Sequence, residues 1–126
     1  MRIEVKGRNL QVTDELRECV ERRMDKVARQ VSDLAELELE LHDARTPTDH
    51  IVAEATLRLK GTTLRATAAS DEARRSIILV SEELARQVKR QRDKRRARRE
   101  AHAVAERLRS GEAPPAELLE DAANRL

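Results

Sequence analysis

Nine cations fall within fourteen consecutive residues: Arg86, Lys89, Arg90, Arg92, Lys94, Arg95, Arg96, Arg98 and Arg99, with Asp93 the one acid among them. Such a block suits a polyanion partner, because neutralising several phosphates and releasing their counterions gives strong, salt-sensitive binding. Its arginine dominance favours forked contacts to phosphate oxygens. The bland alternative is a solvated helix tail, but a merely solvated face mixes signs, as residues 14–31 do. Other side chains with chemical capacity lack a spacing that would use it. His42, His50 and His102 show no metal-ligand spacing and no cysteine partners, and read as surface histidines. Cys19 falls on the apolar side of a helical pattern and reads as a small core residue. The row Glu36, Glu38, Glu40 has the spacing of a strand's wet face rather than of a carboxylate pair built for catalysis. With no Gly-rich phosphate loop and no Ser/His/Asp signature, the expectation is a non-enzyme with no cofactor, no metal and no small-molecule substrate.

The basic block stands out against an acidic background. Residues 1–85 hold 14 basic and 17 acidic side chains, residues 86–99 hold 9 and 1, and residues 100–126 hold 3 and 6, so the total of +2 conceals three blocks. The chain has no Trp, Tyr or Phe. Stacking of bases on aromatic rings, the usual device of single-strand binders, is therefore closed to it. Its 126 residues suit one domain. Apolar residues make up 39% against 40% charged, so a core requires well-patterned apolar positions. No stretch approaches the about 18 apolar residues that cross a bilayer, no basic-then-apolar segment opens the chain, and a single cysteine forms no internal disulfide. The expected location is the cytoplasm, without a membrane partner.

The elements that must position the basic block follow from periodicity. Residues 2–6 alternate, with Ile3 and Val5 on one face, and predict a short strand broken at Gly7-Arg8-Asn9. Thr13 then caps a helix with Asp14 and Glu15 in its first turn and Leu16, Val20, Met24, Val27 and Val31 on one face. Arg22, Lys26 and Arg29 cluster nearly opposite, a second basic wall or else ordinary surface; Lys6 and Arg8 are further candidates. Leu37, Leu39 and Leu41 predict a second strand, residues 51–60 a third and Leu64, Ala66 and Ala68 a fourth. Ser70 reads as the N-cap of a second helix, with Asp71 and Glu72 in its first turn and a core stripe of Ala73, Ile77, Val80, Leu84 and Val88. The stripe stops at Val88, yet no Gly or Pro interrupts the chain before Gly111, so the helix is expected to project past its core. The eleven residues Lys89 to Arg99 would extend it by roughly 16 Å. The fold class is α+β, in the order β-α-β-β-β-α, a four-stranded sheet with two helices on one face, like a double-stranded-RNA-binding domain, the second helix long and projecting. Ser110 to Pro115 reads as a linker, and Leu118, Leu119, Ala122 and Leu126 as a short amphipathic helix. The expected division is a domain over residues 1–99 and an acidic tail or linker, partly helical or disordered, over 100–126.

Gly7-Arg8-Asn9-Leu10-Gln11-Val12-Thr13, followed by Glu15-Leu16-Arg17-Glu18, resembles the opening of the ribosome hibernation-promoting factor family. That family includes the ribosome-associated inhibitor A proteins and was once labelled sigma-54 modulation protein. The likeness continues through Ala66-Thr67-Ala68 and Asp71 into Leu84-Ala85-Arg86-Gln87-Val88-Lys89 and covers roughly residues 1–96. The resemblance implies binding to the small ribosomal subunit between head and body, in the channel of mRNA and of A- and P-site tRNA. Basic residues of the two helices would contact 16S rRNA, and the outcome would be translation inhibited by occlusion under stress or in stationary phase. Carried over by position, Lys89, Arg90, Arg92, Lys94 and Arg95 match the basic end of the family's second helix, with Arg86 and Arg96 flanking them. Arg22, Lys26 and Arg29 lie on the first helix, which also faces rRNA in the family. Aromatic residues common in the family's helices are replaced by Cys19, Met24, Val31 and Arg74. Long family members carry a further C-terminal dimerisation domain, which residues 100–126 do not resemble.

Two competing readings stand beside this one. A general double-stranded RNA-binding protein or RNA chaperone would share the architecture, and a protein-interaction module would use the acidic residues 100–126. Weak self-association is compatible with each.

Overall fold

A computed structural model describes residues 1–111; the predicted short helix with Leu118, Leu119, Ala122 and Leu126 lies outside the described residues. The elements are β1 (Arg2–Arg8), α1 (Asp14–Ala28), β2 (Glu36–Asp43), β3 (Ile51–Leu59), β4 (Thr62–Ser70) and α2 (Ala73–Arg109). The sheet order is β1-β2-β3-β4. β1 runs parallel to β2, as its helical crossover requires, and the other neighbours are antiparallel. Met1–Lys89 forms one compact unit, and the described residues from Arg90 onward belong to another.

Alternation in the strands decides which face is buried. Leu37, Leu39, Leu41, Ala53, Ala55, Leu57 and Ala66 point inward and are buried, while Glu36, Glu54, Arg58 and Arg65 lie exposed on the other face. Cys19, Val20, Met24 and Val27 of α1 join the inward residues in one core with Ile77, Val80, Leu84 and Val88 of α2. Both helices therefore cover the same face of the sheet. Cys19 is buried among these side chains, as a small core residue.

Local chemistry fixes the joints. The Thr13 hydroxyl accepts from the Leu16 N–H at 3.3 Å, and Asp14 and Glu15 sit in the first turn, where the helix dipole favours them. β1 runs two residues beyond its predicted end and breaks at Asn9, whose φ is 55°. A Cβ at Gly7 would collide with the Leu10 carbonyl oxygen and lie 2.9 Å from Val12 Cγ2, so the close return of the chain there needs glycine. Lys60 and Gly61 make the tight turn between β3 and β4, with Gly61 at φ 80°.

The start of α2 departs from expectation. β4 extends through Ser70, which pairs with Ile51, and the helix begins at Ala73, so Asp71 and Glu72 precede it. Ser70 still accepts from the Glu72 N–H at 3.3 Å, but its hydroxyl also lies 2.7 Å from that of Ser76. Ser76 is buried and donates to the Ile51 carbonyl at 2.6 Å, tying α2 to the first residue of β3. Replacing Ser76 with Ala removes that bond and the contact with the buried Ser70 hydroxyl. The expected loss is about 1–3 kcal/mol of stability, seen as a lower urea midpoint at an unchanged m value.

Candidate nucleic-acid interface

The two faces of the sheet differ in charge character. On the open face Arg2, Lys6, Arg8, Arg58 and Arg65 are matched by Glu4, Glu36, Glu38, Glu40 and Glu54. Many of these are paired: Lys6 Nζ lies 3.0 Å from Glu38 and 3.7 Å from Glu4, Arg8 3.4 Å from Glu40, and Arg58 3.4 Å from Glu38. Lys6 and Arg8, candidates by sequence, thus belong to a neutral ion-pair lattice. The hydrogen bond from Lys6, then its charge, then the hydrogen bonds from Arg58 hold the Glu38 carboxyl below its ordinary pKa, and the same bond to Glu38 raises Lys6. A depressed carboxylate adds stability above its unfolded pKa and loses it as pH falls through the folded value; the raised lysine loses its share only as pH rises through its own folded value. The melting temperature should therefore fall on acidification from about pH 5 to 3, and Glu38→Gln should flatten that fall in thermal melts.

Cations without an ion pair stand on both helices, although α1 itself carries five acids to four bases. In the Met1–Lys89 unit, Arg22 and Lys26 are one turn apart on α1, and Arg29 is its C-cap residue. These three occupy a sector of about 60°, nearly opposite the buried stripe. Arg29 is held by Asp25 at 2.7 Å, whereas the Arg22 and Lys26 side chains have no ion pair among the described residues. Arg22 lines a shallow depression with Glu15, Leu16, Glu18, Cys19 and Arg74. Arg74, which stands in the first turn of α2, is a cation that the sequence reading left outside the site. Its nearness to Arg22 depends on how the two helices pack and leaves no mark in the spacing. Farther along α2, Arg86 makes a double contact with Glu83 (2.8 and 3.1 Å), and Lys89 is exposed.

From Arg90 onward the helix carries the cations by itself. Every residue from Arg92 to Arg109 except Val104 is exposed. Among the described residues, the side chains of Arg92, Lys94, Arg95, Arg96, Arg98 and Arg99 have no ion pair or hydrogen bond. At 100° per residue, the cations of residues 90–99 span roughly 240° of the helix circumference, and Asp93 and Ala97 fall in the remaining arc. Cationic groups on most sides of one rod suit phosphates approaching from several directions. Arg107 and Arg109 in the last turn favour the negative end of the dipole.

A four-stranded sheet covered on one face by two helices, with its cationic excess on the second of them, defines an α+β class of β-α-β-β-β-α domains. The chain belongs to the family described as Sigma 54 modulation protein / S30EA ribosomal protein, which its residues 3–96 match. It is 30% identical over 97 residues to the Ribosome hibernation promotion factor of Picosynechococcus sp., covering 75% of this chain and 50% of that protein. The chain thus spans about half the length of that curated relative. The Thermus thermophilus Protein Y N-terminal domain superposes with a TM-score of 0.63 at 26% identity, over 71% of this chain and 98% of that one. A ribosomal subunit interface protein from Coxiella burnetii shares the fold, with a TM-score of 0.61 at 20% identity over 74% and 99% of the two chains. No helix among the described residues is long and apolar enough to cross a membrane.

Proposed function

We propose that this protein is a ribosome hibernation factor. It binds the small ribosomal subunit through 16S rRNA in the mRNA and tRNA channel and inhibits translation there by steric occlusion. The observation that carries this reading is the exposed helical run from Arg92 to Arg99, whose cations have no protein partners among the described residues. Family membership and the name of the Picosynechococcus relative support the ribosome as the target. Phosphate contacts from a mostly arginine helix fit folded rRNA backbone better than a flexible single strand, for which this chain has no aromatic platform. The reading needs no catalysis and places the protein in the cytoplasm. Residues 1–99 carry the binding function, with Arg22, Lys26, Arg29, Arg86, Lys89, Arg90, Arg92, Lys94, Arg95 and Arg96 on rRNA, and residues 100–126 are dispensable for it.

Sucrose-gradient profiles of ribosomes with and without the protein test this directly. Co-migration with small subunits, together with loss of translation in a cell-free assay, is the expected result. Equal affinity for arbitrary RNA duplexes and for ribosomes would overturn it in favour of a general double-stranded RNA binder. Loss of ribosome binding on deleting 100–126 would overturn the assignment of the interface to the basic helices.

A further inference from the structure

The open face of the sheet holds one like-charge contact that the ion-pair lattice leaves unresolved. Glu40 of β2 and Glu54 of β3 stand directly opposite one another in register, an arrangement that destabilises a strand pair unless a cation intervenes. Glu40 has one partner, the Arg8 Nε at 3.4 Å from its Oε1, and Glu54 has none among the described residues. His42 lies two residues along β2 on the same face. One ligand atom from each of Glu40, His42 and Glu54 lies within 4.8 Å of the others. Independently of the carboxylates, the His42 Nδ1 is buried without a hydrogen-bond partner. A buried polar atom left in that state normally costs about 1–3 kcal/mol.

Two carboxylates and an imidazole form a nitrogen–oxygen donor set suited to a borderline divalent cation, above all Zn²⁺. Bonds of about 2.0–2.2 Å place tetrahedral donors about 3.4 Å apart. Side-chain rotation of the exposed Glu54 and the half-buried Glu40 supplies the remaining closure without moving the backbone ladder. A doubly charged ion offsets both carboxylates, and water completes its coordination. Arg8 opposes binding because its guanidinium already holds one oxygen of Glu40. We propose that Glu40, His42 and Glu54 form a zinc-binding site bridging β2 and β3. The β2–β3 register brings the three side chains together, and the RNA reading gives them no role.

Calorimetric titration of the chelator-stripped full chain with Zn²⁺ alone tests the site. One-to-one binding is expected, weakened at least about tenfold in Glu54→Gln and in His42→Ala, tightened in Arg8→Gln and unchanged in His102→Ala. His102→Ala removes the exposed His102–Glu106 pair on α2 as a competing source of binding. Glu54 is exposed, so Glu54→Gln keeps the fold even if His42→Ala perturbs it. Equal Zn²⁺ affinity in Glu54→Gln and the parent chain, binding that follows His102, or no one-to-one binding at all would each overturn the proposal.

Discussion

Changing Lys89, Arg90, Arg92 and Arg95 together to Glu is expected to reduce affinity for small ribosomal subunits by at least about 100-fold and to leave the helix folded. A hydrogen bond to a charged group contributes about 1.5–3 kcal/mol. Half the lower figure at each of four positions sums to about 3 kcal/mol, which is already about 100-fold. Reversal adds repulsion from four new anions against the phosphates. All four side chains are exposed, so the core is untouched, and relief of like-charge crowding on the helix offsets any lost local contact. Salt supplies the second signature. Six to ten neutralised phosphates lose about 10³–10⁵ in affinity between 50 and 200 mM salt, and the variant's residual binding should show a much flatter slope. The measurements are co-sedimentation across a salt series and far-ultraviolet circular dichroism. Unchanged co-sedimentation with an intact helix would overturn the interface.

The sequence announces the basic run in its most local property, the sign of consecutive charges, which no tertiary packing can hide. What it conceals is which cations are already engaged. Arg29 and Arg86 carry the same charge as their neighbours, yet Asp25 and Glu83 hold them at 2.7 and 2.8 Å. Lys6 and Arg8 reach diagonally to Glu38 and Glu40 only because β1 pairs with β2 in one particular register. Arg74 and Arg22 line one depression only because α1 and α2 share the inner face. The same division runs through the fold. Leu37, Leu39 and Leu41 declare β2 because a period of two is a property of the strand itself. The projection of α2 past Val88 is equally legible, since no Gly or Pro precedes Gly111, at φ 84°; its unbroken run from residue 100 to Arg109, expected as a tail or linker that is only partly helical, is not. The start of α2 is not legible, because Ser70 satisfies a strand partner and a cap-like contact at once, and tertiary pairing with Ile51 decides the strand's length. The buried Ser76 escapes an apolar-stripe reading for a related reason: its partner, the Ile51 carbonyl, is 25 residues away. The cluster of Glu40, His42 and Glu54 likewise needs the β2–β3 register to come together.

Leu39→Ala is expected to remove about 3–5 kcal/mol of stability, the upper part of the usual range for burying too little at a core leucine. Leu39 is fully buried and central, with Val5 of β1 and Ala55 of β3 as its register partners. Ladders on both sides fix its backbone, so the strand cannot sink into the void. Along β3 the inward neighbours Ala53 and Ala55 are too short to fill it. The chain also has no Phe, Tyr or Trp whose bulk could tilt into the space. Against a total stability of about 5–15 kcal/mol for a typical domain, such a loss unfolds much of the population at elevated temperature. Ribosome binding would then fall with the folded fraction and return in stabilising osmolyte, unlike that of the charge-reversed variant, which is expected to stay folded and bind weakly. Leu34→Ala is the contrast: Leu34 is 90% exposed, and its truncation should change stability by no more than about 0.5 kcal/mol. Urea unfolding of the two variants checks both values. A Leu39→Ala midpoint within error of the parent would mean that the sheet's inner face is not the core on which the basic helices are mounted.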